Sequence, residues 1–597
     1  MSAFKRIILP PIFYLLTFHT ACTNDKGKTN DTSQSYTQPS YVISEVDSAS
    51  VTIYFEDITE YAGLDFNHET GAFGKKWMPE TMGSGGGFLD YNNDNLPDIF
   101  LVNSSFWKNH EGNGSKPTPH LYRNLGNGKF EDVTLQAGLN FTLYGMGCSF
   151  ADFDGDGDTD IYITAVGDNK LLRNDNGVFF DITEKAGVIG NSNIPGDPSA
   201  WSTSAAWVDV DRDGWLDLFV GNYVRWSPET DLFTTLDGKN KSYATPQQYQ
   251  GETCRLYRNI NGRYFEDITK SAGVYNPEGK SLGVAIADFN DDAWPDIVVA
   301  NDTQPNFLYL NNGDGTFTNI ALRAGVAFDE FGRARAGMGL DVADIRNDGN
   351  LSIVIGNFSR EPLSLYTQIN EELFQDMAGL ARLTKPSLLP LSFGVLFADF
   401  NLDGYLDLVV GNGHIEPDIN SIQQEITFAQ KPQLFQNNRK GQFVDISELA
   451  GEIFSQPIVA RGIATADFDA DGDLDILITT NGGAPRLLRN NQKDTKLNWV
   501  KFLFQGNSPN LNAIGAKVTV YSNGLVQQRM LRTGSSYLSQ SYIGEMVIGL
   551  GEESTADSIK IQWPTSGKVT IHGPVEAGKV YTMSEASSSM VKTTSAR

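Results

Sequence analysis

Seven acidic nine-residue stretches of one pattern, D-x-[DN]-x-D-G-x-x-D followed by aliphatic residues, recur along this chain: DYNNDNLPD (90–98), DFDGDGDTD (152–160), DVDRDGWLD (209–217), DFNDDAWPD (288–296), DIRNDGNLS (344–352), DFNLDGYLD (399–407) and DFDADGDLD (467–475). Carboxylates crowded this closely repel one another unless a cation lies between them. Calcium takes about six to eight oxygen ligands at roughly 2.3–2.6 Å in a flexible shell. Alternate residues of a tight loop can face one ion. Positions 1, 3, 5 and 9 then give side-chain oxygens, and position 7 a backbone carbonyl. This nominates Asp90, Asn92, Asp94, Leu96 and Asp98 in the first loop, and Asp152, Asp154, Asp156, Asp158 and Asp160 in the second. Asp209, Asp211, Asp213, Trp215 and Asp217 follow in the third, and Asp288, Asn290, Asp292, Trp294 and Asp296 in the fourth. The sixth offers Asp399, Asn401, Asp403, Tyr405 and Asp407, and the seventh Asp467, Asp469, Asp471, Asp473 and Asp475.

The EF-hand begins similarly but needs Glu at position 12 between helices. Here position 12 is Leu101, Ile163, Val220, Val299, Ile355, Val410 and Ile478, all in strand-like runs, so that reading fails. The fifth loop differs from the rest. Arg346 stands at position 3 and Ser352 at position 9, removing two acidic or amide ligands and adding a positive charge. About six calcium ions and one empty loop are expected. Glycine at position 6 allows the positive φ of a sharp turn, and Asn95 and Ala293 replace it in the first and fourth loops.

The elements that position these loops repeat with them. After each aliphatic run comes an L-x-x-N element, LYRN (121–124), LLRN (171–174), LYRN (256–259), LYLN (308–311), LFQN (434–437) and LLRN (487–490), with LYTQ (365–368) in the remaining place. Next comes F-x-D-[IV]-T or a variant, at 130–134, 179–183, 265–269, 317–321 and 443–447, with LFQDM (373–377) as the weak sixth. The seventh, FEDIT (55–59), precedes the first acidic loop instead of following the last. A ring has no free sheet edge only if its two ends pair, and this offset supplies that pairing. The repeat spacing of roughly 55 to 80 residues fits four strands with variable loops. An all-β, seven-bladed β-propeller over 51–495 is predicted, followed by a small all-β domain over 496–585 and a disordered tail over 586–597.

The first 22 residues read as an export signal. Lys5 and Arg6 precede an apolar run from Ile7 to Phe18, too short to span a bilayer, and Thr20-Ala21-Cys22 ends it. This resembles a bacterial lipoprotein signal with Cys22 as the lipidated residue, which places the protein at the cell envelope or outer membrane. The polar stretch 23–50 suits a disordered tether. The net charge of −27 argues against nucleic acid as a partner. Cys148 and Cys254 form no zinc or disulfide framework, and Cys148 reads as a buried small hydrophobe.

The repeats resemble the FG-GAP/VCBS type of integrin α-chain propellers. NAIGAKVTV (512–520), TGSSYLSQS (533–541), IGLG (548–551) and IKIQWP (559–564) resemble the ASPIC/UnbV domain. Together they are similar to the cartilage acidic protein family. Larger members of that family carry a cysteine before the third LYRN. This chain has Ala244 there, which leaves Cys254 without that partner.

The end of the ring opposite the acidic loops gathers His68, Trp77, Trp201, Arg225, Trp226, Arg333, Arg335, Arg360, His414, Glu416 and Arg461. Tryptophan, arginine and carboxylate groups around a central opening suit a sugar, peptide or anionic ligand. The leading expectation is a monomeric surface protein that binds an extracellular or envelope glycan or protein and touches the membrane only through its lipid. A carbohydrate-active enzyme such as a polysaccharide lyase, with His68 or His414 as base, is the alternative. A structural subunit docking through its C-terminal domain is a third. There is no GxSxG, HExxH or CxxC, and six histidines give little scope for a zinc centre.

Overall fold

The computed structural model describes residues 52–593 apart from 109, 111–115, 191–199 and 493–495. Cys22 and the 23–50 stretch lie outside the described residues.

Within 55–490 the chain forms seven four-stranded antiparallel sheets, and each repeat builds one. In the second sheet the strands are Gly145–Ala151, Asp160–Ala165, Lys170–Asp175 and Val178–Asp181, with the acidic loop between the first two. The first strand of each sheet packs on that of the next, and Ala460–Ala466 of the last packs on Gly86–Leu89 of the first. This is the expected β-propeller arrangement. Its closure is carried by Phe55–Asp57, which pairs antiparallel with Arg486–Asn490, Phe55 opposite Asn490. The Phe55 ring then packs edge-on against Phe400 at 5.4 Å and Phe454 at 6.0 Å.

The F-x-D-[IV]-T element sets the outer turn. Asp57 Oδ1 accepts hydrogen bonds from the Thr59 amide (3.0 Å) and hydroxyl (2.6 Å), and Thr59 Oγ1 accepts the Leu487 amide at 2.8 Å. The same contacts recur at Asp181, Thr183 and Leu171. The helical turn that follows is closed by Gly63 at φ 82°, a left-handed cap that glycine adopts freely.

The C-terminal domain packs two four-stranded sheets around Val500, Phe502, Val518, Val520, Ile559, Ile561 and Trp563. One sheet includes the parallel pair Asn498–Gln505 and Lys579–Ser584. Beyond 585, where a free tail was expected, Ser589–Lys592 adds an edge strand to Lys579–Ser584. Its backbone groups pair with an edge that would otherwise stay open.

This domain sits on the acidic-loop end of the ring and sends residues 533–542 into its centre. Thr533 Oγ1 accepts the Trp207 amide (2.6 Å) and donates to the Trp207 carbonyl (2.9 Å). The Leu340 amide donates to Ser536 O (3.1 Å), that of Ile463 to Ser536 Oγ (3.1 Å), and that of Cys148 to Leu538 O (3.2 Å). Phe88 N donates to Gln540 O at 3.1 Å. A Cβ on Gly87 would lie 2.2 Å from Gln540 O, so the close approach requires glycine there. The central opening expected from sequence is therefore filled. Tyr537 reaches furthest, stacking edge-on with Phe393 at 4.9 Å and donating to Met82 O at 2.9 Å.

Candidate metal centres and the opposite face

Each acidic loop wraps around its own first aspartate. Asp152 Oδ1 accepts the amides of Gly155 (2.8 Å) and Asp156 (3.2 Å), and Oδ2 that of Gly157 (3.0 Å). The ninth residue ties the loop to the sheet: Asp160 accepts from Phe153 N (3.1 Å) and Asn174 N (2.8 Å). Position 6 is left-handed throughout the loops, including Asn95 (φ 62°) and Ala293 (φ 69°). Position 4 is left-handed as well, with Arg212, Leu402 and Ala470 at φ 58–59°. Sequence reading anticipated one such position per loop, because only position 6 carries a repeated glycine.

The folding gathers carboxylates. Ligand atoms of Asp152, Asp154 and Asp160 lie within 4.8 Å of one another, as do those of Asp209, Asp211 and Asp217, and of Asp467, Asp469 and Asp475. In the first, fourth and sixth loops Asn92, Asn290 and Asn401 hold the third position. Asp154 Oδ1, Asn290 Oδ1, Asp467 Oδ1, Asp469 Oδ1 and Asp473 Oδ1 are buried with no hydrogen-bond partner. Burial and neighbouring carboxylates push Asp152 and Asp209 up to about 7, and Asp154 and Asp469 to about 6. Orphaned oxygens and carboxyls held above their ordinary range are what a bound cation would relieve. The residues present therefore fit a metal ion. In the fifth loop Arg346 Nε instead pairs with Asp348 Oδ2 at 2.9 Å, so that loop carries its own cation.

The C-terminal domain adds cations that the sequence did not assign to the loops. The Lys501 ammonium pairs with Asp467 Oδ2 and with Glu545 at 2.8 Å. Lys517 pairs with Asp291, and Arg532 with Asp341 at 2.6 Å. Lys501 and Lys517 sit in strands of another domain and Arg532 just past the end of one, and local spacing gives no signal for them.

The L-x-x-N asparagine links neighbouring sheets, a role missed in the sequence. Asn174 Nδ2 donates to Tyr91 O of the preceding loop (2.8 Å) and Thr159 O of its own (3.0 Å). Asn124 does the same to Phe468 O at 2.8 Å, across the closure. The relay runs on through Asn259, Asn311, Gln368, Asn437 and Asn490.

On the opposite end the expected ligand groups divide. Trp201, Trp226 and Arg461 are almost fully buried, so they offer no stacking or anion-binding surface; the tryptophans belong to an apolar cluster with Met78, Met82 and Tyr537. The Arg461 guanidinium donates to the carbonyls of Thr81 (2.6 Å), Ala460 (2.7 Å) and Gly413 (3.1 Å) and lies 3.9 Å over Phe393. Arg335 is mostly buried among Ser364, Glu330 and Asp376. Glu416 is held by Lys76 at 2.6 Å, and Arg225 by Glu252 at 3.1 Å. His68 and His414 are buried, and burial together with Arg461 lowers them to about 3 and about 4. The accessible members are Arg333, paired with Asp329 at 2.8 Å, Arg360, and the half-buried Trp77 and Arg225. Trp77 stands edge-on to Phe73 (4.9 Å) and Trp107 (5.0 Å).

Models of the FG-GAP-like repeat match residues 90–163, 152–220, 288–355 and 416–478, and the ASPIC and UnbV model matches 506–590. This is an FG-GAP-repeat protein with an ASPIC and UnbV domain. Cartilage acidic protein 1 of Homo sapiens is 27% identical over 445 residues, covering 71% of this chain and 60% of that protein. The Xenopus tropicalis protein of the same name is 27% identical over 448 residues, covering 71% and 62%. A T-cell immunomodulatory protein homolog of Plasmodium yoelii yoelii is 23% identical over 224 residues, covering 34% and 29%. The chain thus spans about 60% of the length of the cartilage acidic proteins it matches. Both free cysteines of the FG-GAP repeats, Cys148 and Cys254, are buried, and Cys254 Sγ lies 3.1 Å from Ser281 Oγ. No helix among the described residues is long and apolar enough to cross a membrane.

Proposed function

We propose that this chain is an exported, calcium-loaded binding protein whose ligand, an envelope or extracellular glycan or protein, meets the end of the ring opposite the metal loops. The carrying observation is the division of labour between the two ends. The metal-loop end is taken up by the C-terminal domain through Lys501, Lys517 and Arg532. The other end keeps Phe73, Trp77 and Trp107 half-buried and Arg333 and Arg360 exposed. Aromatic edges beside guanidinium groups suit sugar rings, carboxylates or sulfates. Binding is favoured over turnover because a histidine near 3 or 4 is a weak general base at neutral pH. Calcium fills six loops and leaves the fifth to Arg346, and Cys22 carries a lipid that anchors the protein to the envelope.

Glycan and peptide arrays probed with the purified protein test the reading. Trp77→Ala and Arg360→Ala should each weaken the hits by about 1 kcal/mol or more. Hits that ignore both changes would shift the ligand surface to the C-terminal domain.

A further inference from the structure

Near the ring axis, at the end opposite the metal loops, lies a cavity of about 90 Å³ with an unusual lining. Met78, Met82, Met338, Tyr223 and Phe393 make buried apolar walls, and Phe358 and Glu361 stand half-exposed at its edge. One carboxylate, Asp302, is 3% exposed. Its Oδ2 accepts the Tyr223 hydroxyl at 2.5 Å, while Oδ1 is buried with no partner. A buried acceptor left unmade is costly, and such a group in a native site calls for a missing donor.

The groups around Asp302 leave Oδ1 without a donor of their own. Glu361 adds a second negative charge, with one oxygen accepting the Ala336 amide at 2.8 Å. Lys280 supplies one positive charge behind the wall, where its ammonium donates to Pro246 O at 2.7 Å. The Arg461 guanidinium lies behind the Phe393 ring with its donors given to the carbonyls of Thr81, Ala460 and Gly413, so neither it nor Lys280 reaches Asp302 Oδ1. A hard metal ion would need about six oxygens, and only two of the lining residues, Asp302 and Glu361, are carboxylates, each with one oxygen already accepting a hydrogen bond. The apolar walls instead suit the alkyl part of an organic cation, whose charge is also stabilised by ring faces.

We propose that this cavity binds an alkylammonium group, its N–H donating to Asp302 Oδ1 and its short carbon chain lying between Met338, Phe358 and Tyr223. The inference rests on the reading of this end as the ligand-facing one and deepens it by naming a chemical class. The space equals about three water volumes, enough for three or four heavy atoms. The ammonium is either that of a free small amine or that of a lysyl side chain presented by a partner. Burial pushes Asp302 up to about 7, against the Tyr223 hydrogen bond and the Lys280 charge, and with Glu361 also facing it. An amine stays protonated well above that pH, so its binding should strengthen as pH rises from 6 to 8.

Calorimetric titration of the whole calcium-loaded protein at pH 8 with propylammonium chloride, 1-propanol and Nα-acetyl-lysine-methylamide tests this. Propylammonium should bind, with 1-propanol at least about tenfold weaker. Asp302→Asn should lower propylammonium affinity by about tenfold or more while the melting curve and calcium content hold. Tight binding of the lysine derivative identifies a presented side chain, and binding of propylammonium alone a free amine. Should Asp302→Asn fail to fold, Glu361→Gln and the 1-propanol comparison decide, the first with an expected loss of several-fold. Equal binding of 1-propanol, or no binding of propylammonium at millimolar concentration, would overturn the assignment. Array ligands weakened by Trp77→Ala but not displaced by propylammonium would leave the surface reading standing without this one.

Discussion

The side-chain amide of Gln368 donates to the Phe289 carbonyl at 2.6 Å, spanning the boundary between the fifth and fourth sheets. Other sheets make this link with asparagine, backed by an aspartate at loop position 9, as in Asp160 with Asn174. In the fifth sheet that aspartate is Ser352, whose hydroxyl meets Thr367 Oγ1 at 2.9 Å. Gln368 Oε1 also accepts the Leu351 amide at 2.8 Å. The two irregularities of the fifth repeat are one compensated change. Gln368→Asn, one methylene shorter, should leave Phe289 O and Leu351 N unsatisfied and cost about 1–3 kcal/mol. A shift in the urea midpoint at constant slope would report it.

Calcium should behave as a folding ligand, because the carboxylates are gathered only in the native loops. A site held at about a hundredfold its Kd adds about 2.7 kcal/mol. Chelation should therefore lower the melting temperature, and added calcium restore it. Asp154→Ala should reduce bound calcium measured by equilibrium dialysis. Arg346→Ala should leave it unchanged, since Arg346 already neutralises Asp348.

His68 and His414 set an acid limb. Both are held neutral, at about 3 and about 4, whereas in the unfolded chain they take up a proton near the ordinary histidine value of about 6.5. The unfolded state thus binds more protons between these values. The stability they confer is full above about 6.5 and is lost as pH falls towards the native values. At pH 5 the loss is about 2 kcal/mol for each. His414→Gln should flatten that limb in denaturation curves taken from pH 7 to 5.

Removing residues 51–64 should be far more damaging than removing 23–45. The first deletion strips the strand opposite Arg486–Asn490 and withdraws Phe55 from Phe400 and Phe454. It opens a sheet edge and an apolar surface. Light scattering and the cooperativity of melting compare the two, and equal behaviour would count against ring closure by the N-terminal strand.

The sequence alone determined what is local and repeated. An acidic loop declares itself within nine residues, because its ligands, its turn and its flanking strand are neighbours in the chain. The offset of FEDIT (55–59) likewise exposed the closure, since a strand missing from one end must pair at the other. Tertiary structure decided what lies between distant segments. Trp201, Arg461 and His414 looked like groups on a ligand face, yet they are buried, and Arg461 bonds the Thr81 carbonyl 380 positions away. TGSSYLSQS read as a domain motif, and only the fold puts its backbone against Gly87 and Leu340 at the ring axis. A side chain's type fixes what it can bond. Which partner it meets, and whether water reaches it, depends on how segments far apart in the chain pack together.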